Sequence, residues 1–354
     1  MRWRDQFHDR RGFLPDPVIG FQLAEMMKAI VFGQAGDPID VLKVASIPTP
    51  ASTEDKVLID VKCSPIHPAD LAFIRGQYRI RPQFPQVAGL EGLGTVVDAA
   101  AGSTFGIGTR VAFRWPGSWA ERVTVPTERL VEVPAEISDA AACQFSLNPV
   151  TAWGLLDEAG VGEGDCVLLT AAASTVSNLV GAIARNRGIG VIGLVRGEAT
   201  DASHRCTAEH VVSLNDPDVV EKIEAAAGGR QLSALIDSVG GPRIPSLFKT
   251  LAAGARIIAY GVQELEPALV TNAMLIYSNL TWKGFGIDRW LSQYSTEATA
   301  AMRDELWRLI SNGAMKLPIA SIHGLDSIED ALAANANRGR DGKVILAIRP
   351  VPTN

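Results

Sequence analysis

One stretch of this chain, Cys63 to Gly94, gathers the residue types that can do acid–base chemistry. It reads CSPIHPADLAFIRGQYRIRPQFPQVAGLEGLG: a His-Pro-x-Asp turn, a short helical segment, a tyrosine among arginines, then a glycine-rich strand entry. A tyrosine phenol is protonated at neutral pH and can donate to a carbonyl-bearing substrate as it is reduced. Tyr78 is the tyrosine of this segment; Tyr260, Tyr277 and Tyr294 come far later. Arg75, Arg79 and Arg81 flank it, either as a collar for an anionic carrier or as ordinary solvated charges. Asp70 suits a cap for the helical turn after Pro68. His67 stands beside these groups as a substrate-proximal candidate or a hydrogen-bonded loop residue.

The elements that must position Tyr78 change rhythm along the chain. From Met27 to about Val133, short strands are punctuated by Gly and Pro: VLIDVK (57–62), GLGTVVDA (92–99), TRVAFR (109–114) and SWAERVTV (118–125). Such runs suggest a partly open β-barrel-like unit. Trp115 and Trp119 fall on these strands and read as barrel core. From Cys166 onward strands and helices alternate: CVLLT (166–170), a helix over 175–187, GVIGLVR (190–196), HVVSL (210–214), then DPDVVEKIEAAAG. ALIDSVGG (234–241), a helix ending near Gly254 and ARIIAYGV (255–262) follow. This βαβ order implies a doubly wound parallel sheet. An amphipathic helix near 298–313 and a closing strand KVILAI (343–348) return to the first unit. The expected division is therefore an extension over 1–26, a catalytic unit over 27–146 and 288–354, and an inserted cofactor unit over 147–287.

Composition excludes several classes. At 354 residues, with 47% hydrophobic and 20% charged residues, the chain can bury a core in each of two units. A net charge of −6 argues against nucleic acid as a partner, because phosphate binding needs a basic face. No apolar run approaches the ~18 residues of a membrane span. Cys63, Cys143, Cys166 and Cys206 show no CxxC spacing, which fits a reducing compartment and offers no cysteine zinc cage. Residues 1–26 mix Arg2, Arg4, Arg10 and Arg11 with Asp5, Asp9, Asp16 and Glu25, unlike an acid-poor transit peptide. The expected location is the cytoplasm.

The first βα turn of the alternating region is where a dinucleotide pyrophosphate would lie. It reads AAASTVSNLVG, with Ser174, Thr175, Val176 and Ser177 in place of a GxGxxG-type turn. Small residues still admit the backbone closely, and a helix N-terminus still offers N–H groups to phosphate. A bland strand–helix turn is the alternative. Arg196 lies about 20 residues further on, where an NAD-preferring site carries an acidic residue for the ribose 2′-OH. An arginine there suits a 2′-phosphate, which it can bind through two charge-assisted bonds. The expected cofactor is NADPH.

Four segments carry a resemblance over most of the chain, from about Met27 to Ala347: IHPADLAFIRGQY (66–78), SLNPVTAW (146–153), ALIDSVGG (234–241) and LTWKGFGIDRW (280–290). Their order and spacing resemble the zinc-free branch of the medium-chain dehydrogenases/reductases, most of all the mitochondrial-type 2-enoyl thioester reductases. The resemblance implies a Rossmann sheet inserted into a GroES-like catalytic domain. It implies that Tyr78 acts on the enoyl thioester and that Asn148, Pro149 and Thr151 line the nicotinamide end. It also places Ser174 to Ser177 at the pyrophosphate, Arg196 at the 2′-phosphate, and Lys343, Tyr260 and Phe285 near the cofactor. Relatives of this type pair the edge strand NLTWKGFGI (279–287) across a two-fold axis, so a homodimer is expected.

The chain departs from that pattern in three places. His67 stands where the family has asparagine, and where zinc-dependent relatives place a first cysteine ligand. The segment GLEG (89–92) has Leu90 in place of a histidine ligand, so no metal is expected. The glycines of the pyrophosphate turn are replaced. Gly286 stands where the family has tryptophan, which widens the pocket unless Trp290 fills it. The expected reaction is hydride transfer from NADPH to the β-carbon of an α,β-unsaturated, carrier-bound or small-molecule acyl substrate. A quinone oxidoreductase and a non-catalytic nucleotide-binding scaffold are the alternatives.

Overall fold

A computed structural model describes residues 25–100, 102–337 and 340–349. Apart from Glu25 and Met26, the extension expected at 1–26 lies outside the described residues.

The first part of the chain builds the barrel-like unit. A three-stranded sheet pairs β1 (Met26–Phe32) with β2 (Lys43–Pro48) on one side and β4 (Gln86–Val87) on the other. The larger sheet centres on β3 (Lys56–Pro65), which pairs with β5 (Gly92–Asp98) and β7 (Arg122–Pro126). Strand β5 continues to β6 (Arg110–Phe113) and β8 (Leu130–Glu132). Alternation along these strands buries Val57, Ile59, Val61, Val96, Val111, Phe113 and Val125 together. Gly94 allows β5 to pass β3 closely, since a Cβ there would stand 2.4 Å from the Asp60 carbonyl oxygen. Short helices α1 (Pro38–Val41), α2 (Pro68–Ile74) and α3 (Asp139–Ala142) connect the strands. Trp119 is fully buried as expected. Trp115 is not confined to the core: it packs against the barrel cluster and also lines a cavity described below.

Helix α4 (Asn148–Ala159) leads into the second sheet. Its strands are β9 (Cys166–Thr170), β10 (Gly190–Val195), β11 (His210–Ser213), β12 (Leu232–Asp237), β13 (Arg256–Ala259) and β14 (Thr281–Gly284). They run parallel in the order β11-β10-β9-β12-β13-β14, reversing direction of progression between β9 and β12. That is the Rossmann order, whose ligand crevice lies beyond the carboxyl ends of the central strands. Strands β9 and β10 are buried at every position, the pattern of a sheet covered on both faces. Helices α5 (Thr175–Asn186), α6 (Ala199–Ser203), α7 (Val219–Ala227) and α8 (Asn272–Tyr277) make the crossovers. The helix expected to end near Gly254 is instead a 3-10 segment, Ile244–Thr250. Pro245 near its start supplies no N–H, and Gly254 at φ +83 ends the excursion soon after.

The chain then returns. Helices α9 (Ile287–Leu291) and α10 (Thr296–Ser311) precede β15 (Ile319–Gly324), α11 (Ile328–Ala336) and β16 (Lys343–Ala347). Ser295 caps α10 by accepting the Ala298 N–H at 3.1 Å. Trp307 of α10 stacks on Phe145 with ring centroids 3.5 Å apart. Met302, Leu306 and Trp307 belong to one apolar cluster with Leu155, Val167 and Ile258, so α10 binds the cofactor sheet to the barrel. Strand β16 slots between β15 and β3. No helix among the described residues is long and apolar enough to cross a membrane.

Candidate active site

Tyr78 is delivered by a short, firmly capped helix. Pro68 opens α2, and Asp70 Oδ2 accepts the His67 N–H at 2.7 Å, closing the first turn. Gly76 adopts φ +69, which ends the helix and turns the chain toward Tyr78. Half-buried Tyr78 lines a cavity of about 250 Å³ together with Leu90, Arg114, Trp115 and Leu147. Arg79 lies over the ring, 5.3 Å from its centroid, and its Nε donates to the phenol oxygen at 3.4 Å. An oxygen that accepts from a guanidinium keeps its own O–H free to give.

The arginine collar separates into different roles. Arg75 pairs with Asp37 at 3.2 Å, and Arg81 donates to the Gly76 carbonyl at 3.2 Å. Only Arg79 of the three lines the cavity. It meets Asp288 of α9, as do Arg114 and Arg129, the last at 3.1 Å. Asp288 thus ties residues of the barrel to the segment that leaves the cofactor sheet. Burial disfavours its charge, but Arg114 and Arg79 outweigh that and hold the carboxyl down to about 2. Beyond this knot lies a second cavity of about 270 Å³, which shares Arg114, Arg129 and Asp288 as its wall.

Behind the Tyr78 loop is a buried ionisable cluster. His67 Nε2 lies 2.6 Å from Glu91 Oε2, and both residues are essentially without exposure. Glu91 Oε1 also accepts the Leu147 N–H at 2.6 Å. Burial pushes Glu91 up to about 8 and Asp70 up to about 7. Burial, then Arg340, brings Lys343 down to about 8, and burial keeps His67 neutral well below its usual range. His67 is therefore a buried partner of a carboxyl group. Among the described residues, no three His, Cys, Asp or Glu side chains form a group that could hold a metal ion.

The cofactor candidates gather at the carboxyl end of the second sheet. After β9, Ala171 takes φ +47, a conformation rare for a residue with a side chain. Ser174 caps α5: its hydroxyl accepts the Ser177 N–H at 3.2 Å. The Ser177 hydroxyl turns inward to the Thr170 carbonyl at 3.1 Å, with the Tyr260 phenol 3.5 Å away. Ser177 and Tyr260 thus brace the turn, while the first turn of α5, at Thr175 and Val176, leaves N–H groups without intrahelical partners. Burial raises the Tyr260 phenol. Arg196 is exposed beyond β10, and its guanidinium has no partner among the described residues. Asn148 and Thr151 are buried in α4, and the Asn148 Nδ2 lacks an acceptor. These features fit a dinucleotide: an unmatched buried amide donor, a free helix start and a free arginine. Lys343 stands instead with Asp70 and Glu91, and no bond in the described residues ties it to the cofactor turn.

Phe285 and Gly286 follow β14. A Cβ on Gly154 of α4 would meet Phe285 at 2.8 Å and Trp290 at 2.9 Å, so only glycine admits these rings. Trp290 is buried against Tyr294, 4.6 Å between centroids, and does not line either cavity. Around Gly286 nothing lies within 4 Å of where a Cβ would stand, so that space stays open.

Asp237 and Thr170 are site-organising residues that the sequence patterns do not single out. Thr170 Oγ1 donates to Asp237 Oδ1 at 2.7 Å, joining the carboxyl ends of β9 and β12. Asp237 then accepts the Val239 and Gly240 N–H groups at 2.9 and 3.0 Å, shaping the loop at the crevice. An Asp ending the apolar run ALID before a Gly-Gly turn is the signal that marks it.

Comparison with known proteins agrees with this architecture. The alcohol dehydrogenase GroES-like domain matches residues 53–135, and the zinc-binding dehydrogenase family matches residues 206–346. A mitochondrial enoyl-[acyl-carrier-protein] reductase of Arabidopsis thaliana is 30% identical over 301 residues, covering 82% of this chain and 80% of the relative. Its Bos taurus counterpart is 29% identical over 332 residues, covering 91% and 89%. A solved structure of a putative NADPH:quinone reductase from Bacillus thuringiensis superposes with a TM-score of 0.83 at 25% identity, covering 92% of this chain and all of that one. With the Rossmann order, the GroES-like barrel and these relatives in agreement, the chain belongs to the medium-chain dehydrogenase/reductase family of oxidoreductases.

Proposed function

We propose that this oxidoreductase uses NADPH to reduce the carbon–carbon double bond of an α,β-unsaturated thioester. The observation that carries the reading is the Tyr78 phenol, set on the wall of a cavity with its oxygen accepting from Arg79. Bound NADPH supplies hydride to the β-carbon. The chain's own residues handle the charge that then develops on the thioester oxygen. Tyr78 donates to that oxygen or protonates the α-carbon, while its own oxygen accepts from Arg79. Leu90, Trp115 and Leu147 give the space an apolar lining. Arg196 holds the 2′-phosphate, Thr175 and Val176 offer N–H groups to the pyrophosphate, and Asn148 offers its amide to the nicotinamide end. The mitochondrial reductases among its relatives act on enoyl-[acyl-carrier-protein], which supports a thioester substrate.

A second reading is an NADPH:quinone reductase. The open space at Gly286 admits a flat ring, and the Bacillus thuringiensis structure is described as such an enzyme. The deciding experiment follows NADPH consumption with crotonyl-coenzyme A beside a simple quinone. Turnover of the thioester alone supports the first reading, and turnover of the quinone alone replaces it with the second.

A further inference from the structure

The second cavity has a chemistry that the reaction at Tyr78 does not use. It is lined on one side by Val131, Val150, Leu291 and Met302, as an acyl chain would need. The same cavity also contains donors that have nothing to donate to. Arg303 of α10 is half-buried on its wall and makes no hydrogen bond or ion pair with any described residue. Arg129 Nε is buried and unmatched, although its Nη1 reaches Asp288. Ser146 is 8% exposed, and its Oγ is also buried without a partner. Folded proteins satisfy most buried polar groups, so three unmatched donors around one cavity call for an acceptor. The carboxylates on its wall do not supply one: Asp288 is taken by Arg79, Arg114 and Arg129, and Glu128 is exposed.

We propose that this cavity is a subsite for an oxyanion, a carboxylate or phosphate group, carried by the substrate whose reactive end lies at Tyr78. Arg303, the free Arg129 Nε and the Ser146 hydroxyl are its ligands. The two cavities share Arg114, Arg129 and Asp288, so a chain passing this knot joins the reacting carbon to the anionic terminus. The substrate class is then an enoyl compound with a charged distal end rather than a plain fatty enoyl chain. This placement rests on the proposed reduction at Tyr78, but the anion subsite itself is measurable without turnover.

The test titrates the full chain by calorimetry with hexanedioate, inorganic phosphate and the uncharged hexanamide. Wild type is expected to bind hexanedioate or phosphate at least about tenfold more tightly than hexanamide, as charge-assisted contacts require. Tighter hexanedioate assigns a carboxylate, and tighter phosphate assigns a phosphoryl group. Arg303→Met should abolish the preference, Arg303→Lys should restore part of it, and Ser146→Ala should reduce it severalfold with the melting temperature retained. Equal binding of hexanamide and both anions by wild type overturns the proposal, as does a preference that survives in Arg303→Met. Retained anion preference without turnover of either crotonyl-coenzyme A or 5-carboxypent-2-enoyl-coenzyme A supports the subsite while removing the enoyl reading. Turnover without anion preference removes the subsite alone.

Discussion

Glu91 and His67 meet at 2.6 Å in a fully buried space, and the other Glu91 oxygen holds the Leu147 N–H. One carboxyl group therefore joins the start of the helix that leads to Tyr78 with the start of the helix that opens at Asn148. Both ends of the proposed site hang on it.

That junction gives a pH dependence of definite sign. Glu91 is raised from 4.5 to about 8, so the native chain keeps a proton that the unfolded chain has released. Its contribution to stability is full below about pH 4.5 and is lost as pH rises through about 8. Glu91→Gln is a neutral replacement of similar shape. Its melting temperature should match wild type near pH 4.5 and exceed it increasingly up to about pH 8, the free-energy difference growing by at most about 1.4 kcal/mol per pH unit. A difference that stays constant over that range would contradict a protonated Glu91.

Tyr78→Phe keeps the ring that packs under Arg79 and removes only the hydroxyl. Enoyl thioester reduction should fall by about 10²-fold or more, with NADPH affinity nearly unchanged. Turnover equal to wild type on every thioester tried would leave Tyr78 as a packing residue and bring the quinone reading forward.

Arg196→Ala should raise the KM for NADPH at least about tenfold, since hydrogen bonds to charged groups contribute about 1.5–3 kcal/mol. The KM for NADH should change little. Parallel changes for both cofactors would place Arg196 away from the 2′-phosphate.

Strand β14 is the outer strand of the cofactor sheet, with Thr281 and Gly284 exposed. We expect two copies to pair there across a two-fold axis. Sedimentation at micromolar concentration should give twice the 37.7 kDa chain mass, and Gly284→Pro should shift it toward the monomer, because the Thr281 and Phe285 N–H groups face inward and that of Gly284 alternates outward. A monomeric wild type would count against the pairing.

The cofactor sheet is legible in the sequence because its strands are continuous apolar runs separated by helical spacing. CVLLT and GVIGLV are buried throughout, and no other element type fits so short an apolar run in that alternation. The Tyr78 loop is legible because its residue types are unusual together. The Glu91–His67 contact is not, because 24 residues separate the partners and no local period links them. The same holds for the Asp288 knot, whose arginines come from three separate barrel segments. Ser177 reads from the sequence as a phosphate-facing hydroxyl, yet the tight turn at Ala171 directs it to the Thr170 carbonyl. Long-range partners and backbone turns of this kind are set by tertiary packing, which single-sequence patterns do not carry.

The return of the chain into the barrel gives its two sheets different histories during synthesis. The cofactor sheet is made from one continuous stretch, Cys166 to Gly284, and can pair its strands as it leaves the ribosome. Strand β3 must wait for β16, its partner through Cys63, Ser64 and Pro65, which is made only after the whole cofactor sheet. Lys343 arrives on that same strand and brings its charge to Asp70 and Glu91 only then. A chain released early would thus carry a finished nucleotide fold beside an open barrel edge, with Asp70 and Glu91 still lacking their lysine.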